Sequence, residues 1–192
     1  MKKIGILGGT FNPPHIGHLM MANEVLHALE LEEVRFMPNN VPPHKETMDV
    51  TNEQRLEMVR LAIKDHPRFK LESFELIEGG VSYTYETMKK MKEREPDCEF
   101  YFIIGGDSVQ NLHTWYHIDE LVLLVRLVGV KRPGTIASTS YPVQMITVPE
   151  IDLSSTVLRD RFKNGYTVQY LVPPLVEAYI REEGLYGSSK LP

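Results

Sequence analysis

Segments that read as strands alternate with segments that read as helices almost from one end of this 192-residue chain to the other. Successive parallel strands need a crossover, and a helix is the usual one, so the alternation predicts a sheet covered by helices on both faces. The expected fold is α/β: a doubly wound, Rossmann-like parallel sheet in a single domain over residues 1–186, followed by a short flexible tail at 187–192. Strands are expected at 3–7, 34–37, 69–76, 100–104, 127–130 and 145–148. Phe100 to Ile104 is a continuous apolar run, as a strand buried on both faces demands, while Phe69 to Leu76 alternates as a half-exposed strand would. Helices are expected at about 16–29, 84–94 and 118–125, and after Thr51, where Gln54 completes a capping box. Two more run from Ser154 or Ser155 to Asn164-Gly165 and from Pro173-Pro174 to Glu183.

Composition narrows the function classes. A hydrophobic content of 42% suffices for one full core without staples, and the single cysteine, Cys98, excludes an internal disulfide and a cysteine-rich metal site. A formal net charge of -5 argues against a surface built for nucleic acid, which needs a basic excess. No apolar run reaches membrane-spanning length, and residues 1–7 give way to glycine and proline too soon for a signal peptide, so the expected setting is cytoplasmic, with no membrane partner. A homodimer is compatible with the sequence, but no residue specifies one.

Chemistry concentrates first at Gly8-Gly9-Thr10-Phe11-Asn12-Pro13-Pro14-His15-Ile16-Gly17-His18. A short strand runs into a glycine pair expected to turn tightly, the two prolines delay the helix, and His15 and His18 stand at i and i+3 on its first turn. Helix-start amides carry partial positive charge, so the arrangement suits an anion. A capped, solvated helix end and a zinc pair are the alternatives, although no carboxylate or third histidine stands nearby in sequence. A second glycine turn, Gly105-Gly106-Asp107, follows the strand at 100–104. If that strand lies beside the first, the two turns form opposite walls of one crevice, with Asp107 placed either for ribose hydroxyls or as a helix cap. Third, Ser154-Ser155-Thr156 opens a helix with Arg159 one turn on, whose fork reaches the same anion.

The first motif resembles the signature of the nucleotidyltransferase superfamily whose helix opens with a His-x-Gly-His sequence. The Ser154 to Arg159 stretch is similar to the Ser-Ser-Thr-x-x-Arg element that closes over ATP phosphates in its adenylyltransferases. With Gly105-Gly106-Asp107-Ser108, Leu112, Trp115 and Ser82-Tyr83-Thr84, nearly the whole chain resembles the bacterial nicotinate-nucleotide adenylyltransferases. The resemblance implies transfer of AMP from ATP to nicotinate mononucleotide, with release of pyrophosphate and with magnesium arriving on ATP. It implies catalytic roles for His15, His18 and Arg159, and ATP contacts from Gly8, Gly9, Thr10, Phe11, His18, Gly105, Asp107, Ser154, Ser155, Thr156 and Arg159. For the mononucleotide it implies Thr84, Trp115 and Tyr116, with His44 and Lys45 on a lid-like loop at 39–50, and Arg132.

Several of these positions also have plain structural readings. Trp115 reads as a pocket edge or a core residue, Tyr83-Thr84 as a ligand contact or a helix cap, and His44, Lys45 and Arg132 as phosphate contacts or solvated surface. His113 and His117, at i and i+4, read as rim residues, and His27 and His66 as surface. A pantetheine-phosphate adenylyltransferase and a catalytically silent nucleotide sensor are the alternative functions.

Overall fold

In the computed structural model, residues 1–40, 50–79, 83–131, 138–149 and 151–189 are described. His44, Lys45 and Arg132 lie outside these residues, as does most of the lid-like loop, and the side chain of Asp107 is likewise outside the description. Among the described residues six strands form one sheet: β1 (Lys2–Gly9), β2 (Glu33–Pro38), β3 (Phe69–Leu71), β4 (Cys98–Gly105), β5 (Arg126–Lys131) and β6 (Val143–Thr147). All pair in parallel, in the order β3-β2-β1-β4-β5-β6. The chain therefore builds outward from β1 in one direction, returns, and builds outward from β4 in the other. Strand order reverses between β1 and β4, where the two strands are hydrogen-bonded neighbours from Lys2↔Cys98 to Leu7↔Ile103. In such sheets the crevice beyond the carboxyl ends at the reversal receives ligands.

The helices are α1 (Ile16–Ala28), α2 (Asn52–Ile63), α3 (Phe74–Glu78), α4 (Thr84–Arg94), α5 (Gly106–Gln110), α6 (Ile118–Leu124), α7 (Ser155–Lys163) and α8 (Pro174–Glu182), with single 3-10 turns at Leu112–Thr114 and Leu185–Gly187. Both faces of the sheet are covered. On one, Leu7, Phe36, Tyr101, Ile103 and Val128 pack against α1 residues Ala22, Val25 and Leu26. On the other, Ile4, Ile6, Phe100, Phe102 and Leu127 pack against Met88 and Met91 of α4 and Leu121 of α6. Each such side chain, fully buried, contributes about 2 to 3 kcal/mol of transfer free energy. A third cluster joins Met58 of α2 to Leu158 and Phe162 of α7, Val176 and Ile180 of α8, and Tyr186. It fastens α7, α8 and the turn at Leu185–Gly187 to α2.

The capping box at Thr51 forms, with the Gln54 amide donating to Thr51 Oγ1 at 3.2 Å and the Thr51 amide donating to Gln54 Oε1 at 2.9 Å. The strand expected over 69–76 does not. β3 stops at Leu71 and the chain turns into α3. Pro38 supplies the reason: Val34 and Phe36 face β3, the Val34 amide donating to Arg68 O and Phe36 O accepting from the Glu72 amide. Two residues on, Pro38 occupies the same side of the ladder and has no N–H to donate. The expected tail also begins later than Gly187, since Ser188 is buried and its hydroxyl donates to Ile180 O at 3.1 Å. Cys98 packs as a free, buried thiol at the start of β4.

Candidate active site

The site grows out of the carboxyl end of β1. Gly8 and Gly9 are not where the chain turns: both belong to the strand, and the reversal comes at Phe11, with φ 50, and at the cis Asn12-Pro13 bond. The glycines serve close approach instead. A Cβ on Gly9 would stand 3.0 Å from Cζ of the Phe11 ring, which folds back over it. One on Gly8 would stand 3.2 Å from Cζ of Phe102.

The carbonyls of this loop are held from outside it. Gly9 O accepts from the Asn39 amide at 3.0 Å, Thr10 O from Arg55 Nη1 at 2.9 Å, Asn12 O from Arg159 Nη1 at 2.9 Å and Pro13 O from Ser155 Oγ at 2.8 Å. In a trans peptide the C=O and N–H point in opposite directions. Fixing Gly9 O and Thr10 O therefore aims the amides of Thr10 and Phe11 away from those donors. The other two held carbonyls, of Asn12 and Pro13, precede Pro13 and Pro14, so part of the loop has no N–H to satisfy.

His15 is the N-cap of α1 and is only 6% exposed. Its amide donates to Nδ1 of His18 at 3.1 Å, and the two imidazoles lie with centroids 3.8 Å apart, tilted by 32°. Gly17 makes that proximity possible, because a Cβ there would stand 3.0 Å from His15 Nδ1. Phe11 packs edge-on against His18, centroids 5.0 Å apart. The accepted hydrogen bond fixes the tautomer of neutral His18: Nδ1 is the acceptor, so the proton sits on Nε2. Burial pushes His15 down to about 4. His18 is pushed well below the ordinary range by burial and then by the neighbouring His15. Both rings are neutral at pH 7 in the ligand-free protein. The Ile16 amide, at the helix start, is already taken by Leu171 O at 3.1 Å, which ties the C-terminal region to the same spot.

α7 brings its start to the loop. Ser154 caps the helix by accepting from the Val157 amide at 3.3 Å, and Arg159 Nη2 donates to Thr156 Oγ1 at 3.1 Å. Arg159 and Ser155 are thus joined to the β1–α1 loop, both engaging its carbonyls. Across the strand reversal, Gly105 ends β4 and Gly106 begins α5 directly. Asp107 is the second residue of that helix, so it is not its cap.

Trp115 follows the turn at Leu112–Thr114, half-buried, its ring edge-on to Phe102 with centroids 6.2 Å apart. Since Phe102 also lies against Gly8, one ring connects Trp115 to the end of β1. Trp115 thereby packs against the second core cluster while keeping part of its surface exposed. Tyr116, 47% exposed, pairs with Tyr83 at 4.6 Å, and Thr84 begins α4 beside them. Tyr83 is the N-cap of α4 without a side-chain cap bond. His117 adopts φ 51 and meets Glu120 Oε1 at 2.8 Å through Nδ1. Among the described residues no group of three or more His, Cys, Asp or Glu side chains could hold a metal ion.

Two participants escape a reading of sequence motifs. Arg55 holds Thr10 O, and the Tyr186 hydroxyl donates to Asn12 Oδ1. Arg55 leaves one trace, a charge on the apolar stripe of α2 with Met58 and Val59. Tyr186 leaves none.

A parallel sheet reversing beside a paired-histidine helix start, with a second hydroxyl-rich helix start closing on the same loop, defines the nucleotidyltransferase class. The cytidylyltransferase-like family model matches residues 6–161, from β1 into α7. The chain is 50% identical to the nicotinate-nucleotide adenylyltransferase of Bacillus subtilis, over 98% of this chain and all of that one. It is 54% identical to the probable enzyme of that name from Geobacillus thermodenitrificans, over 98% of this chain and 88% of the relative. The fold matches a Plasmodium falciparum nicotinic acid mononucleotide adenylyltransferase complexed with NaAD, with TM-score 0.82 at 21% identity, covering 97% of this chain and 98% of that one. The chain belongs to the nicotinate-nucleotide adenylyltransferase family.

Proposed function

We propose that the chain transfers AMP from ATP to nicotinate mononucleotide, forming the deamido dinucleotide and pyrophosphate, with the β1–α1 loop and the start of α7 as the phosphate site. The observation that carries the site assignment is the histidine pair. His18 is fixed as an Nε2–H donor by the bond its Nδ1 accepts from the His15 amide. The acceptor's phosphate oxygen attacks the α-phosphorus, the bond to the bridging oxygen breaks, and pyrophosphate leaves with the electron pair. No covalent enzyme intermediate is needed, so the protein's work is alignment and charge stabilisation. His18 and His15 serve the phosphates undergoing transfer, with the amides of Thr10 and Phe11 on the same loop. Arg159 exchanges its bond to Asn12 O for a phosphate oxygen. Magnesium enters as part of the ATP substrate, in keeping with its preference for water and phosphate ligands over a protein cage.

On the acceptor side, Trp115 offers a ring face to the pyridine, and Thr84 and the Tyr116 backbone offer donors to its carboxylate or phosphate. His44, Lys45 and Arg132 are assigned by family resemblance to the phosphates, and Asp107 to the ribose. The test is His18→Ala. Losing one transition-state donor lowers kcat by ~100-fold or more, with the folded state retained by circular dichroism. Wild-type turnover in the folded variant would remove His18 from the mechanism.

A further inference from the structure

Arg55 is the largest fully buried side chain of the described residues, with 0% exposure, on the inner face of α2. Its guanidinium donates to Thr10 O at 2.9 Å through Nη1 and to Asn52 Oδ1 at 2.7 Å through Nη2. Nε is buried without a hydrogen-bond partner. Both acceptors are neutral, and among the described residues no carboxylate pairs with it. Arginine does not lose its proton in proteins, so among the described residues a whole positive charge is held inside without a carboxylate partner. Such a group is costly, and a fold that keeps one has a use for it.

The use follows from where the guanidinium points. Thr10 O belongs to the peptide whose N–H is that of Phe11, and the two ends of that peptide face opposite ways. A cation pulling on the oxygen polarises the peptide and strengthens its N–H as a donor on the far side. The structure assigns to Arg55 a positioning role: it aims and polarises the Thr10–Phe11 amide, and its charge serves a polyphosphate bound across the loop. This rests on the phosphate-site reading above. Arg55 touches no substrate, being closed off by the loop it holds.

A merely structural strut and a fixed charge behind the loop predict different patterns. Arg55→Lys keeps the charge and its reach toward Thr10 O, and Arg55→Gln keeps an N–H donor at the place of Nε without the charge. Binding of inorganic tripolyphosphate, measured by calorimetry with no chemistry involved, is the readout, alongside thermal unfolding without ligand. We expect Arg55→Gln to weaken tripolyphosphate about tenfold and Arg55→Lys to stay within about threefold of wild type, the scale of one charge at short range. Without ligand, the Gln variant is expected to be at least as stable as the Lys variant, because it buries no unpaired charge. Equal affinity in both variants, or affinity falling in step with stability, would overturn the proposal. Failure of the wild-type protein to bind tripolyphosphate at all would instead overturn the phosphate-site reading on which it stands.

Discussion

Two imidazoles buried 3.8 Å apart are held neutral first by desolvation, with the neighbouring His15 adding to the effect on His18. The consequence is a stability that depends on pH. His15 falls from its usual 6.5 to about 4 on folding, because burial disfavours the imidazolium. Between those values the unfolded chain binds the proton and the folded protein does not, so stability rises with pH across that window. It is fully present above about pH 6.5 and is lost progressively as pH falls toward 4, by about 3 kcal/mol from His15 alone. Urea unfolding of wild type and His15→Gln between pH 4 and 7 checks this: the slope with pH should be steeper in wild type. Saturating tripolyphosphate should reduce that slope, since an anion favours the charged ring. At this scale the sequence was readable where the residues proposed for the site fall close together in the chain. His15, His18, Ser155 and Arg159 sit in short motifs, whereas Arg55 and Tyr186 act on loop atoms 45 and 174 residues away and carry no local mark of it.

Among the elements, the start of α1 is built around an absent side chain. Gly17→Ala should leave the helix no less stable, since alanine favours a helix by about 1 kcal/mol over glycine. It should nevertheless lower kcat about tenfold or more, because the new Cβ, 3.0 Å from His15 Nδ1, displaces that ring. Unchanged kcat with unchanged stability would mean that the spacing of the two rings does not matter. The glycines of β1 teach a related lesson. Gly8-Gly9 reads as a turn from sequence, yet the turn belongs to Phe11, and the glycines make room for aromatic rings. Likewise the alternation of 69–76 is a fair strand pattern that a partner's proline cuts short. Close approach and ladder partners are set by tertiary structure, so a pattern confined to one segment does not contain them. The other five strands and six of the helices were legible because their periodicity and caps are local; α3 and α5, of five residues each, are too short to show a helical period.

Over the whole molecule, the last residues reach back to the first loop. Tyr186 sits in the cluster that joins α2, α7 and α8, its hydroxyl meeting Asn12 Oδ1 and, at 3.8 Å, Met58 Sδ. Tyr186→Phe should cost about 1 kcal/mol by denaturant unfolding, the net scale of one lost intramolecular hydrogen bond. It should also reduce kcat, since Asn12 adjoins the carbonyls that Arg159 and Ser155 hold. A stability loss with full kcat would confine Tyr186 to packing. Doubly wound topology was predictable from the order of segments alone, and the reversal between β1 and β4 then placed both glycine segments at one crevice. The acceptor was legible only through resemblance, because Trp115 and Tyr116 have no spacing that names a pyridine. The most direct measurement is pyrophosphate release from magnesium-ATP with nicotinate mononucleotide, its amide analogue or phosphopantetheine offered in turn. Release with nicotinate mononucleotide, lowered by ~100-fold or more in His18→Ala, is the predicted result; release with phosphopantetheine alone, or with none of the three, would contradict it.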